Sequence, residues 1–425
     1  MRLDAVITSL APGGDGVAHV ELGGERRAVF VPHTAGGDVV RAEVDTSTRP
    51  ARGRVLEVVV PSLERVTPAC PWSLRCGGCD WMHLSPAAQE AAHADHVRAA
   101  LPAAWRGVSI ETHPAPETLA HRTRARLHVR ASRGEVVVGM HEARSRQPVE
   151  VDVCAVLEPS LEHGRRALPP LFEGARGRGE VRMAVGAERL PVLDVHWEGD
   201  LPAACFGRLD RAVKERTFAG IRLTLGNAVR PATMGDPTPW MAGGDGQPLR
   251  LAPGGFAQAN ERMNALLVRH VQRLVGALGV DKAVELYAGA GNLSILLARA
   301  VGELALVESD REACEAARAN LIARSLQGRT RVIEADAAAY EWNKTTSVVV
   351  LDPPRTGAFA VAERLAGSRV AHVVYVSCDA QTLGRDLARL ADAYEPRSVA
   401  MFEMFPQTSH AEAVVLLGRR GKATA

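Results

Sequence analysis

Short apolar runs alternate with amphipathic stretches through the C-terminal part of the chain. Val284–Leu286, Leu304–Val307, Arg331–Glu334, Ser347–Leu351 and Val370–Val376 have the length and valine content of buried strands. The first run passes through Tyr287-Ala-Gly289-Ala-Gly291-Asn292 into Leu293, Leu296 and Leu297, which have the spacing of a helix's buried face. Strand, glycine turn and helix in that order open a doubly wound α/β sheet, where ligands bind at the carboxyl ends of the strands. The later runs drop polar residues at that same end: Glu308, Asp336, Asp352-Pro-Pro-Arg355 and Ser377-Cys378-Asp379. Repetition at one end of a sheet is more specific than any single motif.

The rest of the chain has a different pattern. Five valine-rich runs, Val6–Leu10, Gly16–Glu21, Arg27–Val31, Asp38–Val44 and Ala51–Val60, predict a small barrel of the OB type. Ser85–Leu101 is helical in pattern, with Ser85 as cap and Pro86 at the first helical position. His121–Ala131 has strand period, which places Arg122, Arg124, Arg126, His128 and Arg130 on one face. No acidic residue interleaves, which favours phosphate contact over a plainly solvated face. A turn at Arg133-Gly134 and the run Val136–Gly139 make this a hairpin. Residues 168–179, rich in Pro, Gly and Arg, read as a loop. Val181–Val185, Val192–His196 and Ile221–Leu225 read as further strands of the same region, and 231–254 as an irregular connection. A long helix is expected over Asn260–Leu278, capped by Asn260.

Composition adds limits. The chain has 425 residues, room for two or three domains, and a net charge of +2, so any basic surface is local. It has no apolar run long enough to span a bilayer and no apolar leader, so the expected compartment is the cytoplasm, without membrane contact. Seven cysteines, unevenly spaced, favour metal binding or catalysis over disulfides.

Four of them stand out. Cys70, Cys76 and Cys79 share one glycine-containing loop, and Cys154 is the candidate fourth ligand; zinc and an iron–sulfur cluster both fit four thiolates. Cys205 and Cys314 read as ordinary buried thiols. Cys378, just past the apolar run His372–Val376, is a candidate nucleophile at the ligand end of the sheet. Glu308, ending the second run, stands where ribose hydroxyls of NAD or S-adenosylmethionine are held. Asp352 can meet a planar imide, and Glu412, before the apolar run Ala413–Leu417, suits a general base. Phe256 is placed to stack on a base and Gln258 to read an edge.

These motifs together resemble the RNA 5-methyluridine (uracil-C5) methyltransferase family over nearly the whole chain. The first 60 residues resemble its TRAM domain. The four cysteines match its 4Fe–4S ligands, and FAQAN at 256–260, ELYAGAGN, DPPRTGA, SCDAQTLGRDL and FPQTSHAE match its methyltransferase motifs in order. The resemblance implies an α/β fold with three parts: a TRAM-like OB barrel at 1–62, a central α+β RNA-binding domain with the four-cysteine cluster at 63–250, and a Rossmann-like class I methyltransferase domain at 251–425. It implies Cys378 as nucleophile on uracil carbon 6 and Glu412 as the base for the carbon 5 proton. It further implies Gln258, Tyr287, Asn292, Glu308, Asp336 and Asp352 around S-adenosylmethionine, and a 4Fe–4S cluster on Cys70, Cys76, Cys79 and Cys154. The expected substrate is 23S rRNA, with tRNA the alternative, and the expected state a monomer. Other readings are a cytosine-C5 RNA methyltransferase, which would need a Pro-Cys pair where Asp352-Pro353 stands, and a non-catalytic RNA-binding protein. The chain departs from the family pattern at Met82 (usually Gln), His93 (often Lys) and Asp379 (usually Asn). Asp379 places a negative charge beside the nucleophile, which would raise its pKa.

Overall fold

A barrel opens the chain because its apolar positions alternate. In the computed structural model, which describes residues 1–132, 134–226 and 228–421, the strands Arg2–Leu10, Gly16–Leu22, Glu25–Val31, Val39–Asp45 and Ala51–Val60 close on themselves. Ile7, Ala18, Val29, Val31, Val40, Ala42 and Val44 fill the interior. Gly16 is obligatory: a Cβ there would lie 2.0 Å from the Thr34 hydroxyl oxygen and 2.8 Å from the Ile7 side chain. The first strand begins earlier than its apolar run, because Arg2 to Val6 pair with Glu43 to Val39. The barrel is tied to the central part by the Trp81 indole N–H on the Gly14 carbonyl (3.0 Å), by Arg65 on Asp38 (2.8 Å) and by Arg144 on Asp15.

The central part is a six-stranded sheet in the order 232–235, 220–225, 191–200, 176–185, 124–132, 135–139, with helices Pro159–Leu171 and Ala203–Lys214 packed on it. The expected hairpin is present, with Ser132 opposite Glu135; Arg133 of its turn lies outside the described residues. The loop expected over 168–179 shrinks to residues 172–175. Pro169 and Pro170 sit in the last turn of a helix, and Arg176–Val185 is a strand. Gly177 and Gly179 belong in that strand because their neighbour crowds them: a Cβ on Gly179 would meet the Trp197 ring at 2.7 Å. Glycine, a turn signal in the sequence, here marks close approach. The 231–254 connection likewise holds three short strands, Ala232–Gly235, Trp240–Ala242 and Pro248–Arg250.

The last part is an eight-stranded sheet. Its order is 330–334, 303–308, 282–286, 348–351, 372–377, 412–419, 394–402, 110–113. The first five strands are parallel, and 412–419 is antiparallel to both of its neighbours. Helices cover both faces, which is why the strands are apolar on both sides. Val348 and Val350 belong to one core and Val349 and Leu351 to the other, as alternation requires. The edge strand Ile110–His113 pairs with Tyr394–Phe402, so the segment between barrel and C-terminal part contributes to this sheet. Helix Pro86–Ala100, capped by Ser85 as its sequence predicts, contributes Val97 to the same core.

Candidate active site

The parallel strands end together, and the residues after them surround one space. Tyr287 follows the first, Glu308 closes the second, Asp336 follows the third, Asp352 the fourth and Cys378 the fifth. Glu412 arrives by another route. Its strand runs antiparallel to His372–Ser377, with Ala413 opposite Ser377, so its first residue lies where the neighbouring strand ends. A single reversal of direction brings together a thiol and a carboxyl that are 34 positions apart.

The electrostatics link these groups. Burial pushes the Cys378 thiol up to about 12; Glu412 and Asp352 add to the rise, Arg355 offsets part of it, and Asp379 adds last. The effect expected of Asp379 is therefore real in direction but small beside burial, and its carboxylate caps helix Ala380–Leu390 through the Thr382 N–H (2.8 Å). Glu412 is 1% exposed, and neither of its oxygens has a hydrogen-bond partner among the described residues. Burial, then Asp352, raises its carboxyl well above the ordinary range, with Arg355 opposing. Burial raises Asp352 to about 7. Glu412 is thus not a solvated strand end.

On the other side of the space, Gly289 and Gly291 adopt φ of +54° and +88°. The Gly289 N–H donates to Glu308 at 2.9 Å. Ser294, standing where a third glycine would complete a dinucleotide motif, donates to Glu285 at 2.5 Å. That buried carboxyl is raised to about 8 by burial, with Asp352 and Glu308 adding and Ser294 opposing. Asn292 and Asn264 exchange amide hydrogen bonds (2.7 and 3.0 Å), which ties the glycine turn to helix Glu261–Ala277. Asp336 is exposed and accepts from the Ala338 N–H (2.9 Å). Gln258 is buried with its carbonyl oxygen unpartnered among the described residues, while Phe256 is 76% exposed.

Sequence reading missed the support beneath Glu412. Residues 403–410 are held by the segment 80–93: the Trp81 backbone N–H donates to the Gln407 carbonyl (3.0 Å), the Gln407 N–H to the Gln89 side chain (2.8 Å) and the Ser409 N–H to Asp80 (2.9 Å). His93 bridges the Glu403 carboxylate (2.8 Å) and the Thr408 carbonyl (3.0 Å). Its departure from lysine was a legible signal, but the partners lie about 310 residues away.

The four cysteines line one cavity with Arg122 and Arg165, and among the described residues no carboxylate or imidazole lines it. The Trp72 indole donates to Asp152 (2.5 Å), and Arg165 donates to the Val151 and Asp152 carbonyls (2.8 and 2.9 Å), so the loop and the Cys154 segment are fastened together. Cys205 and Cys314 are buried elsewhere, as expected.

The arginine row is partly engaged within the protein. Its alternation is present, but the guanidinium groups do different work. Arg124 donates to the Gly255 and Ala257 carbonyls (2.6 and 3.0 Å), and burial, then Arg182, lowers it to about 10. Arg126 pairs with Glu180 of the adjacent strand, an acid the local sequence does not show, and Arg130 bonds Gln147. Arg124→Ala should therefore destabilise the protein by about 1.5–3 kcal/mol, whereas Arg126→Ala should leave stability within about 0.5 kcal/mol. Thermal melting of the two variants side by side checks this; equal losses would restore a common role.

Residues 329–420 match the family model described as tRNA (Uracil-5-)-methyltransferase, and residues 251–372 match the Methyltransferase small domain. The 23S rRNA (uracil(1939)-C(5))-methyltransferase RlmD of Chromohalobacter salexigens is 32% identical, over 98% of this chain and 90% of its own length. The protein of the same name from Alkalilimnicola ehrlichii is 31% identical, over 99% and 97%. The crystal structure of Pyrococcus abyssi tRNA (uracil-54, C5)-methyltransferase in complex with S-adenosyl-L-homocysteine superposes with a TM-score of 0.74 at 23% identity, over 97% of this chain and 99% of that one. At that identity it shows a shared fold.

Proposed function

Because the chain belongs to the RNA uracil-C5 methyltransferase family, we propose that it makes 5-methyluridine in 23S rRNA with Cys378 as nucleophile and Glu412 as base. The observation that carries the chemistry is the buried, unpartnered Glu412 carboxyl beside the Cys378 thiol at the ligand end of the sheet.

Carbon 5 of a uracil is a weak nucleophile. Addition of the Cys378 sulfur to carbon 6 makes an enolate, and its carbon 5 becomes nucleophilic. S-adenosylmethionine, when bound, supplies the electrophilic methyl group. Glu412 takes the carbon 5 proton, and the sulfur leaves as the 5,6 double bond re-forms. The resting thiol is protonated, so the site must lose that proton as substrate enters. Arg355, which lowers the thiol's pKa, favours the thiolate. Burial raises Asp352 to about 7, so near neutrality part of it carries a proton that can be donated to a uracil carbonyl. The base must leave its stack to reach a half-buried thiol at the end of a strand.

The residues fit the methyl donor. The glycine turn lies beside Glu308, whose carboxylate suits ribose hydroxyls, and the unpartnered Gln258 oxygen leaves an acceptor for a ligand amine. Tyr287 and Asp336 flank that end, and Asn292 braces the turn from behind through Asn264. Ribosomal RNA is preferred over transfer RNA because the 23S-specific relatives match at 31–32% over nearly the whole chain, against 23% for the transfer-RNA enzyme. Nucleoside mapping of both RNAs from a deletion strain tests this: loss of one 5-methyluridine from 23S rRNA is expected, and loss confined to tRNA overturns it.

The cavity of Cys70, Cys76, Cys79 and Cys154 fits a 4Fe–4S cluster. Its donors are all thiolates, which select soft centres, and Arg122 and Arg165 can balance the negative charge of a thiolate-ligated cluster. These residues would hold the cluster and fasten the two segments that carry them. Anaerobically purified protein is expected to be brown, with about four iron and four sulfide per chain. Colourless protein with one zinc would refute the cluster.

A further inference from the structure

At the outer edge of the sheet, two strands from Glu412, Glu111 and His113 face His270 of helix Glu261–Ala277. Their donor atoms, one from each residue, lie within 4.8 Å of one another. His270 is 4% exposed, and its Nε2 is buried without a hydrogen-bond partner among the described residues; the Nε2 of His113 is likewise unpartnered. Glu111 comes within 3.1 Å of His113 Nε2, but not in hydrogen-bonding geometry. Phe402 holds both rings: it stacks on His113 (centroids 4.2 Å apart, 12° between planes) and meets His270 edge-on (5.4 Å, 79°). Two imidazoles and a carboxylate are thus pre-set on rigid elements, with polar nitrogens that no described residue satisfies.

We propose that Glu111, His113 and His270 bind one divalent transition-metal ion of the zinc class, fastening the edge strand of the sheet to helix Glu261–Ala277. The donor set is that of zinc sites with a fourth position open to water, and Glu111, on the solvent side, leaves that position accessible. Zinc bonds of about 2.1 Å need donors about 3.4 Å apart, so closure takes shifts of about 1 Å. The row matters: His113 lies opposite Phe402, and Phe402 opposite Glu412, so the ion would sit two strands from the proposed base.

Arg273 is the competitor. Its guanidinium donates to His270 Nδ1 at 2.8 Å and lies 3.9 Å from Glu111. That bond leaves a neutral ring's proton on Nε2. Metal binding moves the proton to Nδ1 and expels the guanidinium, which is mostly solvent-exposed and free to swing. The test is titration of the full-length protein with Co2+, read by visible absorption. Cobalt at the cysteine cavity gives strong sulfur charge-transfer bands, and cobalt on imidazole and carboxylate does not. One equivalent with d–d bands and no accompanying sulfur band is expected, displaced by Zn2+. His270→Ala should remove it, and Glu111→Gln, at an exposed position that leaves the fold intact, should weaken it by about tenfold or more. Arg273→Gln should strengthen it several-fold. Absence of this equivalent, or equal affinity in wild type and Glu111→Gln, would overturn the site.

Discussion

Replacing Cys378 with alanine is expected to lower methyl transfer by roughly 10^4-fold or more, while cofactor affinity stays within about threefold. Among the described residues at this end of the sheet, the sulfur is the group suited to add to carbon 6, and without addition carbon 5 stays unreactive. In the proposed site the cofactor side rests on the glycine turn, Glu308 and Gln258, and none of them bonds Cys378. Loss of a half-buried thiol costs stability only modestly. Single-turnover methylation of unmodified rRNA, with calorimetric cofactor binding on the same preparation, separates the two effects. Turnover within tenfold of wild type would rule out covalent catalysis by this sulfur.

Glu412→Gln should reduce turnover by about 10^2–10^4-fold and leave methylated RNA joined to the protein. Addition and methyl transfer precede the step that needs the carboxylate, so the block falls after the covalent bond forms. A slow band on a denaturing gel should carry the methyl label and vanish in the double variant with Cys378→Ala. The acid limb of the wild-type rate should also lie above the range of an ordinary carboxylate. Only ionised Glu412 accepts the proton, and burial together with Asp352 raises the pH at which it ionises. Below that pH the rate falls as the carboxyl protonates; in Glu412→Gln this limb should disappear. Wild-type turnover without an adduct would remove Glu412 from the mechanism.

Much of the fold was legible because apolar period reports burial directly. The barrel strands, the Ser85 and Asn260 caps and the parallel strands of the last sheet lie where local pattern puts them. The places where local pattern misleads share a cause. At 168–179, Pro and Gly carry turn chemistry, whereas the two prolines end a helix and Gly179 makes room for Trp197. The local chemistry is there in the sequence, but its spatial neighbour is not. The internal partners of the arginine face were illegible for the same reason: Glu180 and the Gly255 and Ala257 carbonyls come from distant positions.

By itself the sequence determined which residues have the chemistry: a thiol past a buried strand, carboxyls at strand ends, a glycine turn and four clustered thiols. Each is a property of a residue and its near neighbours. Only the tertiary structure decided what those groups experience. The antiparallel last strand brings Glu412 to Cys378, and burial then raises both of their pKa values. The 80–93 segment anchors the approach to Glu412, and residues 110–113 set two histidine-bearing elements side by side. Strand direction, burial and long-range pairing are sums over the whole folded chain, and no window of sequence contains them.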